Sequence, residues 1–156
     1  MPLFIGEFDQ SIDDKNRLSI SAALRELINT DEDGSNFILT IGPDGHLWLY
    51  PDKYYKKLIS SMKRSALPTR EQQKINLWFA VARMLKPDAQ GRVVIPEKSM
   101  LRANLLGSDR KVTLFGSNDH IEIWPTDEYE QRLAEELPTL GDTLYEAAER
   151  LQQDGE

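Results

Sequence analysis

Asp13-Asp14-Lys15-Asn16-Arg17-Leu18-Ser19-Ile20-Ser21 is echoed 75 residues later by Asp88-Ala89-Gln90-Gly91-Arg92-Val93-Val94-Ile95-Pro96. Each stretch sets an Asp, three residues of turn character and an Arg ahead of a β-prone apolar run. A second pair of matching stretches follows. Ile38 to Pro51 aligns without a gap on Val112 to Pro125, superimposing Gly42 on Gly116, His46 on His120, Tyr50 on Trp124 and Pro51 on Pro125. The chain is a tandem repeat, so whatever one copy does structurally is expected twice.

Each copy spans roughly 50 residues, close to the size below which a unit buries too little surface to hold itself together. Two such copies in 156 residues are expected to share one core. The composition, 40% apolar and 29% charged, is that of a globular protein. No apolar run approaches the ~20 residues that cross a bilayer, and the N-terminus lacks the basic and apolar regions of a secretion signal. The absence of cysteine removes disulfides and thiol chemistry and fits a reducing cytoplasm.

The formal net charge of -7 argues against a nucleic-acid partner until it is divided by segment. Residues 58–80 carry four Lys/Arg and one Asp/Glu, whereas residues 131–156 carry two and seven. The acidic excess thus lies in the tail and around Asp31-Glu32-Asp33. Over a Debye length of about 8 Å a distant acidic tail barely opposes a local basic cluster.

Along the chain, Phe4–Phe8 reads as a strand, Ser11–Arg17 as a turn and Leu18–Ile20 as a second strand. Residues 22–29 read as a helix with Leu24, Leu27 and Ile28 on one face, and residues 30–36 as an acidic loop. Phe37–Ile41 and Leu47–Tyr50 flank Gly42-Pro43-Asp44-Gly45, a hairpin signal. Helices are expected from Asp52 and from Arg70, the latter opened by the capping box Thr69-Arg70-Glu71-Gln72. The second copy repeats this order from Ala82 to Pro125. A helix starting at Thr126, a break at Pro138–Gly141 and a last acidic amphipathic helix over 143–153 close the chain.

Four residues apart across a turn, the Asp accepts from turn amides while the Arg projects from the next strand. Two roles remain open for this pair: a tie within the turn or between copies, or a surface that reads DNA. A planar guanidinium suits guanine edges and phosphates, and Lys15 suits a phosphate contact. The second copy carries Ala89 in its turn and is less basic, with Arg92 its basic group. His46 and His120 lack cysteines or suitably spaced carboxylates with which to hold a metal and read as locally bonded hairpin residues. No Ser-His-Asp layout, phosphate-binding glycine loop or metalloprotease helix occurs, so the chain reads as a non-enzyme with no cofactor and no metal.

Taken together, Gly6-Glu7-Phe8, the two Asp-x-x-x-Arg stretches, Gly42–Pro51 and Ile121-Glu122-Ile123-Trp124 resemble the MraZ family of transcriptional regulators, built from two SpoVT/AbrB-type domains. The likeness runs from about residue 3 to 135. It implies an α+β, mainly β fold in which two swapped-hairpin halves form one pseudo-symmetric β-barrel with flanking helices. The units expected are a first repeat at 3–53, a helical linker at 54–80, a second repeat at 81–127 and an acidic helical tail at 128–156.

The resemblance also implies a cytoplasmic, nucleoid-associated repressor of its own division and cell-wall gene cluster. Its partners would be double-stranded DNA carrying short G-containing direct repeats and further copies of itself in a cyclic homo-oligomer, an octamer being one candidate size, with neither membrane nor small-molecule substrate. Lys15, Arg17 and Arg92 match the family's DNA-contacting positions, and Asp13, Asp88, Asn16 and Gly91 its structural ones. Three positions depart from the family pattern: Asn16 stands where Gly is usual, Ser21 where Pro is usual, and Ala89 where a polar or basic residue is common. The rival from another class is a ring-forming scaffold with reduced DNA binding. A single-copy AbrB-like antitoxin or transition regulator fits the tandem chain less well.

Overall fold

A computed structural model describes residues 1–62, 66–107 and 109–155. Residues 1–125 and 126–156 are two compact units. Among the described residues the first holds eight strands and is organised by the repeat. β1 (Glu7–Ser11), β2 (Arg17–Ser19), β3 (Phe37–Ile41) and β4 (Leu47–Pro51) belong to copy one, and β5 (Arg83–Leu85), β6 (Arg92–Val94), β7 (Lys111–Ser117) and β8 (His120–Pro125) to copy two.

Pairing crosses between the copies. β1 runs antiparallel to β7, with Phe8 opposite Leu114, and β5 runs antiparallel to β3, with Met84 opposite Ile38. Each copy's first strand therefore completes the other's hairpin. β4 and β8 meet at Trp48↔Glu122, flanked by Leu47↔Ile123 and Leu49↔Ile121. Because Trp48 and Glu122 are equivalent in the repeat, that pair lies on an internal two-fold axis. The pair Leu18↔Val93 occupies the same position between β2 and β6.

The expected closed barrel is not formed. Six strands make one open sheet in the order β1-β7-β8-β4-β3-β5, and β2 with β6 makes a separate two-stranded ribbon. Closure would require β1 to pair with β5, but these are the two edges. The ribbon instead packs as a second layer. Leu18, Ile20, Val93 and Ile95 join Leu39, Leu47, Leu49, Leu114, Ile121 and Ile123 in one buried cluster, the hydrophobic face of an alternating sheet. The short helices α1 (Ala22–Arg25) and α5 (Glu97–Arg102) add Leu24 and Met100 to it.

Several details of the sequence reading shift. The helix expected over residues 22–29 is one turn, Ala22–Arg25, because the chain leaves it after Leu24 has entered the core, and Leu27 is exposed. The acidic stretch taken as a loop holds a one-turn helix, α2 (Thr30–Asp33), because the Asn29 side chain accepts from the Asp31 and Glu32 amides. The first strand starts three residues later than expected, after Phe4 has bridged to Asn118.

The opposite face of the sheet is aromatic. Ile38, Tyr50 and Tyr55 form a second cluster with Trp48, Tyr54, Leu58, Ile59 and Trp78, supplied by α3 (Asp52–Ser60) and α4 (Arg70–Val81). Thr69 caps α4 by accepting from the Gln72 amide at 3.0 Å, and Trp78 Nε1 donates to the Ile41 carbonyl at 2.7 Å. The histidines belong to this face. His46 stacks on Trp124 with centroids 3.7 Å apart, and its counterpart His120 lies 5.2 Å from Tyr50 and stacks on Trp48 at 3.8 Å. His120 also bonds Asp119 at 2.8 Å and Glu122 at 3.1 Å, while Tyr54 donates to Asp119 at 2.6 Å.

The second unit is helical: α6 (Thr126–Glu136), a 3-10 turn at Leu137–Thr139 that accommodates Pro138, and α7 (Leu140–Asp154). The expected break at Pro138–Gly141 is thus shorter, with Gly141 already helical.

Candidate nucleic-acid interface

Both Asp-x-x-x-Arg stretches fold into the same turn. In the first loop, Asp13 Oδ1 accepts from the Lys15 amide at 3.0 Å and the Arg17 amide at 2.8 Å, and Oδ2 accepts from Arg17 Nε at 2.6 Å. The backbone closes the turn through the Asp13 amide to the Arg17 carbonyl and the Asn16 amide to the Asp13 carbonyl. In the second loop, Asp88 Oδ1 accepts from the Gln90 and Arg92 amides at 2.9 Å each, and Oδ2 from Arg92 Nε at 2.8 Å. The Asp88 and Gly91 amides repeat the backbone closure.

The fourth turn residue adopts a left-handed backbone in both copies, with φ +62° at Asn16 and +78° at Gly91. Asn is among the few side chains that tolerate this region, which explains how it fills the position that Gly91 holds in the second copy. The carbonyls of these two residues tie the copies together. Asn16 O accepts from the Ile95 amide at 2.8 Å and Gly91 O from the Ile20 amide at 3.0 Å. Neither loop is therefore built by its own copy alone.

The turn amides and guanidinium favour the charged carboxylate. The Arg17 amide first, then the Arg17 side chain and the Lys15 amide, hold Asp13 below its ordinary 3.8. Asp88 is lowered in the same way by the Arg92 amide, the Arg92 side chain and the Gln90 amide.

Alternation along the ribbon decides where the arginines go. Leu18 and Val93 point into the core and are fully buried, so Arg17, Ser19, Arg92 and Val94 lie on the outer face. Arg17 is opposite Val94 and Arg92 opposite Ser19, which makes the two arginines diagonal neighbours, about 7–8 Å apart for strands of ordinary geometry. Each is tied to its Asp through Nε, an anchor that fixes the side chain and does not involve the terminal Nη groups. Lys15 is exposed beside Arg17, whereas the second loop adds exposed Ala89 and Gln90.

Two arginines escaped the sequence reading. Arg110 Nη1 donates to the Asp13 carbonyl at 2.6 Å and to Asn16 Oδ1 at 3.0 Å. Arg25 lies against Gly91, where an added Cβ would come within 2.5 Å of its guanidinium carbon, and its Nε donates to the Ile20 carbonyl at 2.9 Å. Neither lies in a motif, and Arg110 is 97 residues from Asp13 in sequence, so only the crossed pairing reveals them.

Comparison with known proteins agrees with this architecture. The family described as "MraZ protein, putative antitoxin-like" matches twice, over residues 3–76 and 78–153. The transcriptional regulator MraZ of Clostridium tetani is 31% identical over 149 residues, covering 89% of this chain and 99% of that protein. Those of Pediococcus pentosaceus and Alkaliphilus metalliredigens are 33% and 35% identical, covering 85% and 83% of this chain and 88% and 85% of their own length. Two tandem matches along the repeat, with relatives of this identity along nearly their whole length, leave one conclusion: the chain belongs to the MraZ family of transcriptional regulators, and it is not an enzyme.

Proposed function

We propose that the chain binds double-stranded DNA sequence-specifically through the outer face of the β2/β6 ribbon and its two loops, with Lys15, Arg17 and Arg92 making the contacts. The observation that carries this reading is the placement of Arg17 and Arg92 on one exposed face, each anchored through Nε by a structural Asp. A fixed guanidinium loses little freedom on binding and presents its remaining donors to phosphate or guanine. Asp13, Asp88, Asn16 and Gly91 shape the turns and do not face the DNA. On this reading the two binding units are residues 3–53 and 81–127, joined by 54–80 and followed by the tail 128–156.

One chain offers few cations, so the functional species is a cyclic homo-oligomer, of which an octamer is one size, seated on short G-containing direct repeats. Avidity then raises affinity without new contacts. The groove of about 500 Å³ lined by Ile41, Pro43, Trp48, Leu77 and Trp78 supports self-association, since it is apolar and its Leu77 is 69% exposed. The regulated target is the division and cell-wall gene cluster that encodes the protein, and the effect is repression. The protein works in the cytoplasm on the nucleoid, in keeping with described helices none of which is long and apolar enough to cross a membrane.

Fluorescence anisotropy with promoter fragments carrying one or three repeats, at several salt concentrations, tests the reading. Binding should prefer the repeats, tighten with repeat number and weaken as salt rises. Arg17→Ala should weaken it by about 1–3 kcal/mol while leaving the oligomer intact by light scattering. Salt-insensitive binding, or equal affinity for one and three repeats, would refute it. The scaffold alternative is favoured by the second loop, which offers Arg92 as its one cation, and predicts an intact ring with no sequence preference.

A further inference from the structure

The two loops are equivalent in backbone and in their Asp–Arg ties, yet one external contact is present at the first and has no counterpart at the second. Arg110 precedes β7 and holds loop one at two points and the residue before it at a third. Its carbonyl accepts from the Ile12 amide at 3.0 Å, and its Nη1 bridges the Asp13 carbonyl and Asn16 Oδ1, the residues that open and close the turn. The backbone of Arg110 sits at φ +51°, a region that strains a long side chain and that persists only where the surroundings impose it.

In the register that places Ile38 on Val112, Arg110 corresponds to Asn36. The Asn36 amide and side chain both go to Asp52. Gly91 has no side chain to be gripped, and Arg25, its neighbour, donates to Ile20 and not to the turn. Among the described residues, no side chain from outside the turn donates to loop two. Asn16, where the second copy has Gly91, and the arginine at 110 thus form a matched pair: Asn16 supplies the acceptor that Gly lacks, and Arg110 reaches it from the other copy.

We infer that Arg110 is a positioning residue that clamps the Asp13–Arg17 loop from the second copy, so that loop one is preorganised for DNA while loop two remains adaptable. This rests on the reading of the loops as the DNA contact. A loop fixed beforehand contributes affinity by lowering the ordering cost of binding. The asymmetry assigns loop one, which also carries Lys15, the dominant share of affinity.

The test has two arms, using the full chain. Arg110→Asn keeps a residue that tolerates positive φ with a side chain too short for the turn, and Arg110→Lys keeps the charge without the planar guanidinium whose Nη1 makes both bonds. In the first arm, amide exchange is followed without DNA. Arg110→Asn should accelerate exchange at Lys15 and Arg17 by about threefold to tenfold, as expected for the loss of the bonds that hold the turn closed, and leave Gln90 and Arg92 unchanged. In an Asn16→Gly background the same substitution should do markedly less. Unchanged loop-one exchange, or equal change in both loops, overturns the clamp whatever the DNA result.

In the second arm, affinity for a repeat-bearing fragment should fall about threefold to tenfold in Arg110→Asn and partly in Arg110→Lys, with the slope of log K against log salt unchanged. A slope reduced by about one phosphate contact with Arg110→Lys behaving as wild type would make Arg110 a direct phosphate ligand and overturn the positioning role. If Arg17→Ala leaves DNA binding intact while the exchange result stands, the DNA reading fails and the clamp does not.

Discussion

Leu18→Ala is the sharpest test of the shared core. Leu18 has no exposed surface and sits opposite Val93 on the internal two-fold axis, between the two loops. Truncation removes three buried carbons, about 2.5 kcal/mol of transfer free energy at ~0.8 kcal/mol per carbon. A residual cavity adds to this, for a total of about 3–4 kcal/mol. The site has little freedom to collapse, because its neighbours Ile20, Val93 and Ile95 are themselves fully or almost fully buried and Ile20 and Ile95 are bonded across the copies. Urea denaturation followed by tryptophan fluorescence reads the loss. Native-state exchange reads its distribution: protection of the Ile20 amide, which bonds Gly91 in copy two, and of the Ile95 amide, which bonds Asn16 in copy one, should fall together. A loss below about 1 kcal/mol, or deprotection confined to one of these amides, would refute a core built jointly by both repeats.

Three further outcomes are expected. Burial opposes the charge on His120, but its bonds to Glu122 and Asp119 prevail and raise its pKa above 6.5. Glu122 and Asp119 resist burial through the same bonds and are lowered from 4.5 and 3.8. A raised histidine stabilises fully below its unfolded pKa and ceases to as pH rises through the folded one, and lowered carboxylates do so above theirs. The excess melting temperature of wild type over His120→Gln should therefore be greatest between about pH 4.5 and 6.5 and shrink on either side; a pH-independent difference would contradict the ion cluster. Gly91→Ala should cost about 1–2 kcal/mol in urea denaturation, since φ +78° strains any side chain and the new Cβ meets Arg25; no loss relative to Gly107→Ala, which faces open space, would be inconsistent with that strain. Trp78→Phe should cost about 1 kcal/mol by losing the bond to Ile41, seen as a lower denaturation midpoint with the repeat ribbon unaltered in its exchange.

The sequence was most legible where local chemistry and the repeat coincide. Gly42–Gly45 between β-prone runs, the Thr69 cap and the Asp-x-x-x-Arg turns are each settled within a few residues, and the copies corroborate one another. The partner of each strand is not local. Nothing in Glu7–Ser11 states that it pairs with β7 and leaves copy one, and the same ambiguity made a closed barrel and an open sheet with a ribbon equally compatible with the periodicity. The Thr30–Asp33 turn of helix was hidden by acidic composition, because its stability comes from one Asn29 side chain and not from propensity.

The limit on the candidate site has the same cause. Duplication identifies equivalent positions and so encourages the belief that they are equivalent in role, and for the Asp, the Arg and the core Leu18–Val93 pair the geometry is indeed the same. Residues that grip a loop from outside obey no such symmetry. The turn requires positive φ at its fourth position, and Gly satisfies that requirement while removing any side-chain handle. Copy two keeps Gly91, so Arg25 meets it only as a surface. Copy one has Asn16, whose conformational tolerance is poorer but whose amide oxygen accepts a bond, and Arg110 occupies a strained backbone to donate it. A change that reads in isolation as a mild loss of turn chemistry is therefore, with its distant partner, a gain of connection. The two loops diverged at the exposed residues between the Asp and the Arg, Asp14-Lys15 against Ala89-Gln90, and also at the residues that hold them still.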